Sequence, residues 1–374
     1  MRTRRSIPLG FQPPAIGEEE IAAVAETLRS GWLTTGPRAA LLEERAVAYL
    51  EAKHVVAVSS GTAAMHLALL ALGVGPGDEV ITSPITWPAT ANVIEHCGAR
   101  PVFGDVRESD LNLDPQLLPA LVTERTKAIL PVHLAGQPCD LDPIHALGLP
   151  VVEDAAHAFE SRYRGRKLGG LSDATCLSLY ATKNVAAGEG GLVATNRDDV
   201  AEAIRAMRLT RRSHGSLYDQ VTWGFKANLS DVLAAIALVQ LDRLEDHAAI
   251  RARQFAIYDE GLADLDGITP LAVDSRDVHS LHLYVVRIDA LRAGATRNEY
   301  QRALADELIA TSIHFLPVHR LTWFRERYPD QPPLPVAERA GDEVLSLPLS
   351  PAHGDDDILD AVDAVRRVHA RFVA

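Results

Sequence analysis

Little in this 374-residue chain can build a disulfide, a structural metal site or a membrane span. It carries three cysteines, Cys97, Cys139 and Cys176, far apart and odd in number. No CxxC or Cys/His ligand spacing accompanies them, so a disulfide framework and a structural zinc are unsupported. No unbroken apolar stretch is long enough to cross a bilayer as a helix. The opening residues MRTRRSIPLGFQPPA are basic but have no apolar run behind them, unlike a secretory signal. Neither GxGxxG nor GxxxxGK[ST] occurs, which removes the dinucleotide fingerprint and the P-loop. Lysine is scarce too: Lys53, Lys127, Lys167, Lys183 and Lys226 are the full set. A GC-rich genome explains that bias without invoking function, yet it leaves few candidates for amine chemistry. With 50 Asp plus Glu against 37 Lys plus Arg, the net charge is −13. Such an acidic balance argues against nucleic acid as a bulk partner. A soluble cytoplasmic protein, with neither membrane nor nucleic acid as partner, is the expectation.

What is present reads as an α/β protein. Between residues 54 and 195, short apolar runs (HVVAVSS, DEVITSP, PVFGDV, KAILPVH, LPVVEDA, ATCLSLY, GGLVATN) alternate with helical patterns. Helices are expected over 62–72, 88–96, 115–122 and 142–147. The runs are β-branched without period-two alternation, as in strands covered on both faces of a mostly parallel sheet. Ahead of them, Ile21, Val24, Ala25 and Leu28 form one apolar stripe on a helix that begins with Glu18, Glu19 and Glu20 and stops at Gly31. A long helix is expected from Ser230, its N-cap, through Leu233, Ile236, Ala237, Leu241 and Leu244. Beyond about residue 265 a smaller α+β unit follows, with strand LHLYVVRI, a helix near 297–309 and a last helix opening on Asp355, Asp356 and Asp357. A domain boundary is placed at residue 245: 1–245 forms a large domain, its first 14 residues an N-terminal arm, and 246–374 a small one.

Three segments carry chemistry. Ser59-Ser60-Gly61-Thr62 joins a strand to an apolar helix, where small residues and free amides can cradle a phosphate. A tight turn with a Thr cap is the ordinary alternative. Asp154, in Glu153-Asp154-Ala155-Ala156-His157, stands at a strand's carboxyl end, where ligands of open α/β sheets collect. A metal ligand, a catalytic acid, a partner for a ring nitrogen and a helix cap are all open to it. Lys183 follows ATCLSL and precedes Gly188-Glu189-Gly190-Gly191, a charge-poor setting that lowers an amine's proton affinity. Together they meet the needs of pyridoxal phosphate: an anion site, an Asp against the pyridinium nitrogen and a Schiff-base lysine. Trp87, in Ser83-Pro84-Ile85-Thr86-Trp87-Pro88, offers a flat face to stack on the ring, with core filling as its alternative.

GWLTTGP (31–37), SSGTAAMHLAL (59–69), GDEVITSPITWPATANVI (77–94), PVHLAGQPCDLDPI (131–144), VEDAAHAF (152–159) and LYATKNVAAGEGGLVAT (179–195) resemble the DegT/DnrJ/EryC1/StrS family of nucleotide-sugar aminotransferases. The resemblance spans roughly residues 8–347 and implies the aspartate aminotransferase fold (type I), with a mostly parallel seven-stranded sheet and a smaller C-terminal domain. Within the family, WGFKANLSDVLAAIALVQLDRLE and SIHFLPVHRLTWFRERYP are most similar to the enzyme that aminates the 4-keto pentose of the lipid A aminoarabinose pathway. Carried over by motif, Lys183 would bond covalently to the cofactor, Asp154 would face its pyridine nitrogen, Trp87 would stack on it and His157 would lie near its phenolic oxygen. Gly61, Thr62 and Ser178 would bind the phosphate, and Asn228 would reach it from the neighbouring subunit of a homodimer. Thr35 and His319 would face the sugar.

The resemblance implies a ping-pong transamination in which L-glutamate leaves as 2-oxoglutarate and pyridoxamine phosphate carries the amine to a dTDP- or UDP-linked keto sugar. His157 stands where many relatives carry Gln, which favours C4 over C3 of the sugar. Glu160 departs from the family, where small residues are usual. The presence of Lys183 argues against the sugar dehydratases that have lost it. A C3 transaminase, a regulator on the same fold and a nicotinamide oxidoreductase are the competing readings; no spare segment serves as a DNA-binding domain and no glycine fingerprint serves nicotinamide.

Overall fold

Seven strands frame the first half of the chain: β1 (His54–Val58), β2 (Glu79–Thr82), β3 (Arg100–Phe103), β4 (Thr126–Leu130), β5 (Val152–Asp154), β6 (Ala174–Ser178) and β7 (Gly191–Thr195). This is a computed structural model, which describes residues 4–209 and 223–373. β2 runs parallel between β3 and β4, and β5 runs parallel to β6. Bridges Ile129–Val151 and Val132–Asp154 join β4 to β5. β7 lies antiparallel between β6 and β1. The resulting order is β3-β2-β4-β5-β6-β7-β1, mostly parallel with one reversed strand. Helices on both faces bury nearly every strand residue, which is why the sequence shows runs rather than alternation.

Among the described helices, those used below are α1 (Glu18–Ser30), α2 (Pro37–Leu50), α3 (Gly61–Ala71), α4 (Ala89–His96), α5 (Asp231–Asp242), α6 (Leu244–Leu262), α7 (Arg297–Asp306) and α8 (Asp355–Val373). Ser230 caps α5 as expected, its Oγ accepting from the Leu233 amide. Buried Asp231 then caps α2, accepting from the Gly36, Arg38 and Ala39 amides at 2.7, 3.0 and 3.0 Å. One expectation is corrected. Residues 115–122 form only a short 3₁₀ turn, Leu118–Leu121, because Pro119 lacks the amide a longer helix needs and Leu118 is the one buried residue of that turn. The apolar stripe of α1 forms as read but is not covered at its ends: Ile21 and Leu28 are 56% and 54% exposed, Val24 and Ala25 are half-buried, and Glu20 and Thr27 are buried. Glu20 is held inside by the Gly17 amide, Gln240 and Arg243, at 2.8, 2.7 and 3.1 Å.

The C-terminal part packs α6, α7 and α8 around an antiparallel sheet of β8 (Ile268–Pro270), β9 (Tyr284–Ile288) and β10 (Val344–Leu347). β9 starts three residues later than the run LHLYVVRI indicates. Leu281 takes a left-handed φ of 52°, and the amides of His282 and Leu283 bond instead to the carbonyl of Ala135. That detour carries His282 to the C-terminal end of the main sheet. Residues 9–15 also cross toward that end: Leu9 bridges to Ile309, Leu349 donates to Phe11 and the Ser350 hydroxyl to Pro13. Of the N-terminal arm, residues 1–3 lie outside the described residues. The three cysteines are buried and unpaired, and no described helix is long and apolar enough to cross a membrane.

Candidate active site

The carboxyl ends of the central strands open on a cavity of about 440 Å³. Gly61, Thr62, Trp87, Asp154, His157, Ser178 and Lys183, seven of the residues singled out from sequence, line it. At one end α3 begins. The Ser60 hydroxyl accepts the Ala63 amide at 3.0 Å and the Ser60 carbonyl takes that of Ala64, so the first-turn amides of Gly61 and Thr62 have no acceptor within the helix. Ser178, at the end of β6, faces them across the sheet. A side chain on Gly61 would place its Cβ 3.0 Å from that of Ser178, and one on Gly191 would sit 2.4 Å from the Ser60 carbonyl. Both glycines are needed for the close approach that makes the cradle.

Asp154, buried at the end of β5, forms the cavity's polar floor. Its carboxylate accepts from the Thr90 hydroxyl at 2.8 Å and the Ala156 amide at 3.1 Å, and Thr86 in turn donates to Thr90 at 2.7 Å. Burial raises its pKa, opposed by those bonds and by the charge of Lys183. A buried carboxylate with neutral bonding partners is a place for a cation. Lys183 occupies the turn between β6 and β7, its backbone fixed by the 2.8 Å bond from its amide to the Tyr180 carbonyl. The side chain opens on the cavity but its amine is enclosed, and burial lowers its pKa to about 8 against the pull of Asp154.

His157 is neutral, burial and the nearby charge of Lys183 holding its pKa well below the ordinary value. Its Nδ1 accepts the Ala135 amide at 3.3 Å, which leaves the proton on Nε2. Its ring stacks on Phe315 (centroids 6.0 Å apart) and lies 4.4 Å from the ring of His282. Trp87 is 66% exposed, so core filling is excluded and its indole face is free to take a ligand. Three residues stand elsewhere. The Asn228 side-chain amide donates to Thr35 at 2.6 Å and Thr35 donates to the Leu229 carbonyl, both outside the cavity lining. His319 is half-buried beside Phe103, 3.3 Å from Glu338, also outside the cavity lining.

Sequence reasoning missed Gln12, Thr90, His282, His314 and Phe315, all of which line the cavity. Thr90 was readable, one helical turn after Trp87. The others come from the arm and the small unit, whose arrival here is a property of the tertiary fold; no local signal marks them. His314 is held by the Ser346 hydroxyl at 2.8 Å and by stacking on Phe11, with burial lowering its pKa to about 4.

An anion cradle, a buried carboxylate awaiting a cation, an enclosed amine and an open indole face fit pyridoxal phosphate point for point. The described residues hold no cluster able to bind a metal. A model of the DegT/DnrJ/EryC1/StrS aminotransferase family matches residues 14–366. The chain is 44% identical over 384 aligned residues to the spore coat polysaccharide biosynthesis protein SpsC of Bacillus subtilis, covering 98% of this chain and 99% of that one. Among solved structures it is similar to the sugar aminotransferase Spr1654 of Streptococcus pneumoniae in its PMP form, with TM-score 0.92, 33% identity and 98% of each chain covered. It is likewise similar to DesI solved in the presence of its TDP-sugar product, with TM-score 0.89, 34% identity and coverage of 99% of this chain and 95% of that one.

Proposed function

This chain belongs to the DegT/DnrJ/EryC1/StrS aminotransferase family, and we propose that it moves an amino group from L-glutamate to C4 of a dTDP- or UDP-linked 4-keto sugar, a pentose or a 6-deoxyhexose. It is a pyridoxal phosphate-dependent nucleotide-sugar aminotransferase. The observation that carries the finer reading is the single cavity that encloses the Lys183 amine, the Asp154 carboxylate and the neutral His157 together. His in place of Gln at 157 favours C4, and the TDP-sugar product of DesI supports a nucleotide diphosphate on the substrate. SpsC, by its name, serves polysaccharide biosynthesis, which supports an amino sugar bound for a surface polymer.

Pyridoxal phosphate, when bound, supplies an aldehyde for Schiff-base formation and a ring that stores the electron pair released when a C–H bond breaks. The remaining work belongs to the chain. The amides of Gly61 and Thr62, with the Ser178 hydroxyl, would hold the phosphate. Asp154 would pair with the ring nitrogen, and Trp87 would cover one face. His157, with its proton on Nε2, presents a hydrogen-bond donor to the phenolic oxygen. Lys183 would hold the cofactor covalently and would serve as the proton carrier: an amine near pKa 8 both accepts and returns a proton close to neutral pH, work worth about 10²–10⁴-fold in rate.

The outer surface supports a homodimer. Ile21, Leu28, Trp32 and Leu33 leave an apolar patch on and beside α1, next to the Thr35–Asn228 pair. Asn228 would reach the partner's phosphate from there, and Thr35 and His319 are proposed on the sugar side. Amination at C3 is the second reading. The deciding experiment loads the enzyme with the amine from glutamate, offers a panel of nucleotide 3-keto and 4-keto sugars, and places the new nitrogen by mass spectrometry and NMR. Product aminated at C4 is expected; amination confined to 3-keto sugars would overturn the C4 assignment.

A further inference from the structure

Glu160 is a buried acid outside the cavity lining. One of its oxygens pairs with the guanidinium of Arg251, itself buried on α6. The other accepts from the side-chain amide of Asn184 at 2.8 Å. Asn184 follows Lys183 directly. Its nitrogen also donates to the Ser280 carbonyl at 3.0 Å, and its oxygen lies 2.8 Å from Nδ1 of His282. A carboxylate and a carbonyl both accept only, so the amide nitrogen must face them and the amide oxygen must face His282. His282 therefore donates from Nδ1, and Nε2 is the ring nitrogen left to the cavity that His282 lines.

We propose that Glu160 is a positioning residue for the transamination: through Asn184 it holds His282 in the Nδ1–H tautomer, turning an unprotonated Nε2 toward the cavity. This rests on the aminotransferase reading. His157 and His282, their rings in contact, then show the site one N–H donor and one acceptor. An acceptor suits a site whose amines pass through protonated forms; the opposite tautomer would set a second N–H donor against them. A buried ion pair adds little to stability relative to an apolar pair of equal volume, so Glu160 and Arg251 are explained by what they orient. Arg251 pins the carboxylate, the carboxylate sets Asn184, and Asn184 sets the imidazole.

The test uses holoenzyme labelled with ¹⁵N-histidine, the His282 signals being assigned by their loss in His282→Gln. Long-range ¹H–¹⁵N correlation reads the tautomer, and stopped-flow absorbance with glutamate reads the rate. Wild type should show a protonated Nδ1 and a bare Nε2. In Glu160→Gln, Arg251 claims the new side chain's oxygen, which leaves an NH₂ facing Asn184. The Ser280 carbonyl still holds the Asn184 nitrogen while an NH₂ now opposes it, so Asn184 loses its fixed orientation, the two His282 tautomers mix and the rate falls about 10–100-fold, the loss typical where a partner that orients a histidine is removed. Adding Arg251→Met frees the Gln oxygen to face Asn184 again, so tautomer and rate both return; this variant also avoids an unpaired buried guanidinium if the single one does not fold. Support requires tautomer and rate to move together. A wild-type Nε2–H, an unaltered Glu160→Gln, or any variant in which one quantity moves without the other overturns the proposal. A wild type inactive toward every keto sugar would instead fail the aminotransferase reading, while its tautomer is still read independently.

Discussion

Two of the five lysines, Lys183 and Lys167, have their proton affinity lowered to about pKa 8 by burial, yet only one opens on the sheet's ligand site. From sequence, Lys183 stood out because a run of apolar residues led into it and glycines followed. Lys167 sits in a polar stretch, Arg162-Tyr163-Arg164-Gly165-Arg166-Lys167, with no such lead-in. Its turn folds back on α2 instead, setting the ammonium 3.8 Å over the ring of Tyr49 and 3.3 Å from the Glu160 carbonyl, contacts that no local pattern announces. The depressed value of Lys183 has a pH consequence with a definite sign. Between about 8 and the ordinary 10.5, the unfolded chain holds a proton that the native amine has lost, so the cofactor-free protein gains stability as pH rises through that window. Below pH 8 the reactive free amine declines about tenfold per pH unit. Cofactor uptake by the cofactor-free protein, followed by stopped-flow absorbance, should accelerate up to about pH 8 and then level off. A rate still climbing tenfold per unit near pH 10 would mean an unperturbed amine.

Helices show where patterns speak and where they mislead. α3 was legible as a helix, while glycine and small polar residues at its strand-to-helix turn left an anion cradle and an ordinary capped turn both open. Gly61→Ala tests the cradle. Alanine favours a helix over glycine by about 1 kcal/mol, so the fold should hold, while the new Cβ would crowd Ser178. Loss of one bond to a charged group costs about 1.5–3 kcal/mol, so cofactor affinity should drop about tenfold or more by equilibrium titration; unchanged affinity would dismiss the cradle. α1 is the opposite case. Its stripe was plain in the sequence, but periodicity reports an apolar face and not what covers that face. Glu20, bonded inward by Gln240 and Arg243, turns the ends of the stripe out. Burying each such side chain is worth about 1.5–3 kcal/mol. Ile21→Asp with Leu28→Asp should therefore leave circular dichroism intact and shift the protein from dimer to monomer in sedimentation velocity. A persisting dimer would place the interface elsewhere.

Across the whole molecule, the seven runs were readable because buried strands exclude polar residues, whereas their order in the sheet was not. Nor was what connects them. The cavity is completed by His282, His314 and Phe315 from the C-terminal part and by Gln12 from the arm, each delivered by long-range backbone bonds such as those from His282 and Leu283 to Ala135. The boundary placed at residue 245 falls beside the joint between α5 and α6, where Arg243 flanks both helices. Everything in this account depends on one amine being the cofactor's attachment point. Borohydride reduction of the holoenzyme followed by peptide mapping measures that directly. The label is predicted on Lys183; recovery of the label on Lys167 or any other lysine, or no label after reconstitution with pyridoxal phosphate, would contradict the account.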